Sequence, residues 1–116
     1  MGELDFSVAH IGINCGDAAE AARLLQALFG LPADEGRDSI FSGPLLELMK
    51  VGGRGVHGHI GVGTDDIHAA KAYFEGKGFR FAGDSAKYDD SGNMTVIYFE
   101  LEIEGFALHL FQRPGK

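Results

Sequence analysis

Three histidines and one glutamate stand at matching places in this chain, His10 and Glu47 in its first half and His59 and His109 in its second. The string His10-Ile11-Gly12-Ile13-Asn14 returns as His59-Ile60-Gly61-Val62-Gly63, and Leu46-Glu47-Leu48-Met49 returns as Leu108-His109-Leu110-Phe111 with the polar residue in step. A lone His or Glu in an alternating stretch is ordinarily hydrogen-bonded or solvated. Four of them at equivalent positions of a repeated unit make a ligand set. Three neutral imidazoles and one carboxylate suit a first-row divalent ion, with Zn, Ni, Co, Mn and Fe all compatible.

The elements that carry these residues follow from periodicity. Side chains alternate faces along a strand, so His10, Gly12 and Asn14 share one side while Ile11, Ile13 and Cys15 share the other. His59, Gly61 and Gly63 oppose Ile60 and Val62 in the same way. The aliphatic side is expected under helices. The histidine side, with glycine beside it, leaves room for a cleft. A first helix is expected from an Asp17 cap, with Glu20 three positions on, to Gly30, with an apolar stripe of Ala21, Leu25, Leu28 and Phe29. A second begins near Asp65 or Asp66, runs through Ile67, Ala70 and Phe74, and stops by Gly78. Strands are expected at Ser39–Ser42, Leu45–Val51, Met94–Leu101 and Phe106–Gln112, with a turn at Asp89–Asn93.

The order is therefore βαβββ, twice, in one domain over residues 1–116, with module one at about 7–51 and module two at about 57–112. The later copy has extra residues between its ligands, and the stretch between Gly83 and Asn93, with Lys87 and Tyr88, reads as a loop able to close over the cleft. A pseudo-twofold axis between the copies would bring their first and last strands to one cleft.

Composition narrows the function classes. A net charge of −7 argues against a nucleic-acid backbone as partner. No apolar run approaches the ~20 residues of a membrane span, and the acidic start from Met1 to Val8 differs from a basic signal peptide, so a cytoplasmic protein is expected. The single cysteine, Cys15, has no internal disulfide partner and reads as a small buried hydrophobe. Gly53-Arg54-Gly55-Val56-His57-Gly58 matches G-x-G-x-x-G, but a strand follows it where a dinucleotide site needs a helix. It reads as part of the joint between the copies.

Paired βαβββ units with a ligand on the first and last strand of each resemble the vicinal oxygen chelate superfamily, which includes glyoxalase I, methylmalonyl-CoA epimerase, extradiol dioxygenases, fosfomycin-resistance transferases and bleomycin-binding proteins. The resemblance spans His10 to Gln112. It implies an α+β fold in which two βαβββ modules form a curled mixed sheet around a metal-binding cleft. In metal-binding members such as glyoxalase I the four positions are commonly His, Glu, His, Glu. Here they are His10, Glu47, His59 and His109, and the departure at His109 prevents a direct transfer of mechanism. A narrower resemblance, to glyoxalase-like domains associated with 2-keto-3-deoxy-phosphogluconate aldolases, rests on Ser39 to Pro44, Gly53 to His59 and Ser85 to Asp89. It implies a sugar-acid or keto-acid ligand.

The expected activity is that of a metal-dependent lyase, isomerase or epimerase acting on a small 2-oxo or 2-hydroxy acid through a metal-bound enediolate. The alternatives are an Fe(II) dioxygenase or a binding module without chemistry. Glu47 and His109 are the expected catalytic residues, with Glu47 as the preferred base. Asn14, His57, Lys87 and Tyr98 are expected to meet substrate, His57 doubling as a second base. An anionic substrate in so acidic a protein needs positive neighbours, for which Arg37, Lys50, Arg80 and Lys87 are available. Exposed sheet edges point to a homodimer, and the sequence is equally consistent with a cleft built by one chain and one shared between two.

Overall fold

The computed structural model describes residues 5 to 114; the first residues of the acidic opening segment lie outside them. The elements are β1 (Ser7–Asn14), α1 (Ala18–Phe29), β2 (Ala33–Glu35), β3 (Ser39–Ser42), β4 (Leu46–Met49), β5 (Gly58–Thr64), α2 (Ile67–Gly76), β6 (Phe81–Tyr88), β7 (Met94–Ile103) and β8 (Phe106–Gln112). That is βαβββ repeated. All eight strands form one mixed sheet, curled and not closed, in the order β2-β3-β4-β1-β5-β8-β7-β6. β1 and β5 run antiparallel at its centre, and each pairs in parallel with the last strand of its own copy, β1 with β4 and β5 with β8.

Local chemistry sets both helix starts. The Asp17 carboxylate accepts the Glu20 N–H, and the Asp66 carboxylate accepts the Ala69 N–H, each satisfying a donor that the first turn leaves free. α1 ends at Gly30, whose φ of 70° is the left-handed conformation anticipated for it. α2 buries Ile67 and Ala70 against Met94, Ile97 and Leu110, with Phe74 packed on the same cluster. α1 buries Ala18 and Ala22 against Ile40 and Leu48, joined by Ile13, Cys15, Ala21 and Leu25. The helices thus lie on the aliphatic side of the central strands. No helix among the described residues is long and apolar enough to cross a membrane.

Several expectations need correction. Leu28 and Phe29 are 68% and 70% exposed, because the last turn of α1 runs clear of the sheet and only its alanine-rich first turns and Leu25 are covered. β2 was not anticipated; its three residues are all exposed, so no hydrophobic alternation marks it. The stretch expected as a closing loop is mostly strand β6. It pairs with β7 through an irregular register, and that irregularity hides the period of two. The turn that follows does form, with Asp89 Oδ1 accepting the Ser91 and Asn93 N–H groups at 2.9 Å each.

Candidate metal centre

Two rows across the sheet build the site. In one, Gly12 on β1 lies between Glu47 on β4 and His59 on β5; in the other, Gly61 on β5 lies between His10 on β1 and His109 on β8. Each glycine gives the neighbouring rings the space its own side chain would take. A Cβ on Gly12 would overlap the His59 imidazole, and one on Gly61 would stand 2.7 Å from Cε1 of both His10 and His109. The four side chains therefore meet over the two central strands of a single chain.

Ligand atoms of His10, His59 and His109 all lie within 4.8 Å of one another. His109 Nε2 is 3.2 Å from His10 Nε2. Glu47 Oε1 is 3.1 Å from His59 Nε2 and 3.6 Å from His10 Nε2. Donors bound at about 2.1 Å to a common ion stand roughly 3.0 to 3.4 Å apart in octahedral or tetrahedral arrangement, and the 3.2 Å between His10 and His109 falls in that range; the three imidazoles form the group that could hold an ion, with Glu47 beside it. His109 Nδ1 donates to the Leu110 carbonyl at 3.0 Å, which leaves the neutral ring's lone pair on Nε2, facing the other ligands. His59 turns Nε2 to the cluster and leaves its other ring nitrogen, Nδ1, buried without a partner. Three neutral imidazoles at this spacing fit a divalent ion.

Electrostatics point the same way. Burial lowers the pKa of His10 and takes that of His109 down to about 4, so both rings are neutral near pH 7 and available as ligands. The His59 hydrogen bond, helped by a 2.8 Å bond donated by the Ser39 hydroxyl to Oε2, holds Glu47 at about 2. Glu47 is therefore ionised. Ser39 was missed in the sequence because it reaches Glu47 from the adjacent strand, a lateral contact that periodicity does not report.

A cavity of about 290 Å³ opens over the cluster, walled by Phe41, Met49, Val96 and Phe111 and also by Lys87 and Tyr98. A second, of about 400 Å³, adjoins it through Met49, His59, Lys87 and Tyr98 and extends to Arg54, Asp84 and Ser85. Lys87 and Tyr98 are thus brought to the site. Burial raises the Tyr98 pKa, so its hydroxyl stays protonated as a donor. Asn14 and His57 line neither cavity. The Asn14 amide is spent on the Gly55 and Val56 carbonyls at 3.0 and 3.3 Å, fastening the joint to β1, and the exposed His57 ring rests on Gly105 and Phe106. Of the other anticipated cations, Lys50 pairs with Glu35, while Arg37 and Arg80 stand beside Asp38 and Glu100, all away from the cleft. Arg54, not anticipated, is present in it.

No protein-family model and no curated protein matches the chain. Solved structures do. A methylmalonyl-CoA epimerase aligns over 98% of this chain and 99% of its own at 19% identity, with a TM-score of 0.67. The Mycobacterium tuberculosis methylmalonyl-CoA epimerase aligns over 92% and 87% at 15% identity and a TM-score of 0.66. A hypothetical protein from Bacillus halodurans covers 97% of both chains at 15% identity and a TM-score of 0.69. The chain shares their fold. The epimerases are members of the vicinal oxygen chelate superfamily, so the broad resemblance holds at the level of fold. These structures lend no support to the narrower resemblance to aldolase-associated domains. Other epimerase structures with this fold are complexes with methylmalonyl-CoA and, from Streptomyces coelicolor, with 2-nitronate-propionyl-CoA.

Proposed function

We propose that this chain, a single domain of two modules at about 7–51 and 57–112, is a divalent-metal-dependent enzyme of epimerase or isomerase type. It moves a proton at a carbon next to a carbonyl or hydroxyl of a small 2-oxo or 2-hydroxy acid. The observation that carries this reading is the convergence of His10, His59 and His109 on one open face, with ligand atoms within 4.8 Å of one another and the Glu47 carboxylate beside them at 3.1 Å from His59 Nε2. When bound, such an ion supplies Lewis-acid stabilisation of the charge that develops on a substrate oxygen as the neighbouring C–H proton leaves. The CoA thioesters bound by epimerases of the same fold offer the same functional arrangement, a carbonyl beside an acidifiable carbon.

The chain's own residues divide the remaining work. His10, His59 and His109 would hold the ion, with His109 fixed by its bond to the Leu110 carbonyl. Phe41, Val96 and Phe111 exclude water from one side of the cavity, and Tyr98 donates a hydrogen bond to a substrate oxygen. Glu47 takes the proton on Oε1 while Ser39 holds Oε2. In the free chain Glu47 is a weak base, chiefly because of its His59 contact. The protein acts in the cytoplasm as a homodimer, a reading supported for the dimer by apolar Phe79 and Ile103, 41% and 54% exposed on the side away from the cleft.

Glu47→Gln tests the assignment. Measured by NMR in D₂O with metal-loaded protein and a panel of 2-oxo acids, 2-hydroxy acids and acyl thioesters, the variant should retain metal and lose α-carbon deuterium exchange by at least about a hundredfold. Exchange at the wild-type rate removes Glu47 as base. No exchange with any compound in wild type leaves a binding module.

A further inference from the structure

The second copy differs from the first at its outer strand. β2 is three exposed residues, whereas β6 is longer and broken by a bulge. Ala82 pairs with Tyr98 and Lys87 with Val96; between these pairs β6 runs through Gly83, Asp84, Ser85 and Ala86 while β7 supplies Ile97 alone. The bulge is locked from within. Buried Ser85 donates its hydroxyl to the Ala82 carbonyl at 2.6 Å and accepts the Tyr98 N–H at 2.8 Å, tying the extra residues to the strand that carries the cleft tyrosine. Bulges of this kind re-aim side chains beside functional sites.

What this one re-aims is charge. Arg54 and Lys87 are the two cations among the residues lining the cleft. Arg54 is satisfied: its guanidinium lies 5.4 Å from the Tyr98 ring centre and 3.3 Å from Asp84, itself in the bulge. The Lys87 ammonium has no hydrogen-bond or ion-pair partner among the described residues, although it borders both cavities. In a chain of net charge −7, an unpaired cation bordering two cavities is a place for an anion.

We propose that Lys87, presented by the β6 bulge on the wall of the cavity that holds the ligand cluster, is the subsite for a second carboxylate of the substrate, distinct from the oxygens held at the cluster. One ammonium balances one negative charge, the charge of a terminal carboxylate, and the second cation of the cleft, Arg54, is already paired with Asp84. The substrate class is therefore a dicarboxylic 2-oxo or 2-hydroxy acid. This rests on the cleft acting as proposed above, and the test separates the two.

The probes are 2-oxoglutarate and 2-oxopentanoate, equal in length and different only in a terminal carboxylate against a methyl. By calorimetry on metal-loaded protein, 2-oxoglutarate should bind about tenfold more tightly; Lys87→Gln should abolish the difference and Lys87→Arg should keep most of it. In metal-free protein, 2-oxoglutarate should slow acetylation of Lys87, read by mass spectrometry, several-fold more than 2-oxopentanoate does, with Lys77 as the unaffected control. Equal affinities in wild type, a preference that survives Lys87→Gln, absent protection, or stronger protection by inorganic phosphate would each overturn the proposal. Protection of Lys87 without binding of either acid to the metal-loaded protein would leave the subsite standing and remove the proposed function.

Discussion

Gly12 and Gly61 contribute no functional group, yet the site depends on them. Both lie where an imidazole from a neighbouring strand folds across the backbone, so each fixes where a ligand ring can go. Gly12→Ala should push the His59 ring off the cluster, lowering divalent-metal affinity by at least about tenfold and costing roughly 1–3 kcal/mol of stability through overpacking. Metal titration and urea unfolding check this, with Gly16→Ala, which meets nothing within 4 Å, as the comparison. A Gly12→Ala protein that titrates like wild type would show that His59 has room to spare. The pairing of histidine with glycine was legible in the sequence because two residues on the same face of a strand leave a period-two trace, and the repeat doubles it. Ser39 and Arg54 left no such trace. One acts across to a neighbouring strand, and the other reaches the cleft from the joint between the copies.

Strands and helices were legible to different degrees for physical reasons. Helix starts depend on a side chain and a backbone N–H three residues apart, so Asp17 and Asp66 announce them locally. Central strands alternate cleft-facing polar groups with aliphatic residues and were read correctly in type. The two outer strands were not. β2 is exposed throughout and β6 is bulged, so neither carries a clean alternation. Because the caps are local and exposed, Asp17→Ala should destabilise the chain by about 1 kcal/mol in urea unfolding while leaving metal binding unchanged. A loss of metal in this variant would mean that α1 positions the ligands more directly than its contacts with β3 and β4 indicate.

Over the whole molecule, the sheet order reads outward from the β1–β5 pair as two equivalent halves, and the candidate centre straddles that pair. The first half supplies His10 and Glu47 to the cluster and the second His59 and His109. An ion held across both halves should bind only the folded chain and stabilise it by linkage. The most direct measurement is the metal content of untagged protein, followed by titration with Zn, Ni, Co, Mn and Fe(II) and by thermal unfolding. The account predicts one divalent ion per wild-type chain, a rise in Tm on binding, and loss of stoichiometric metal in both His10→Ala and His59→Ala. One tightly held ion in each of those variants, or none in wild type with any metal of the series, would contradict it.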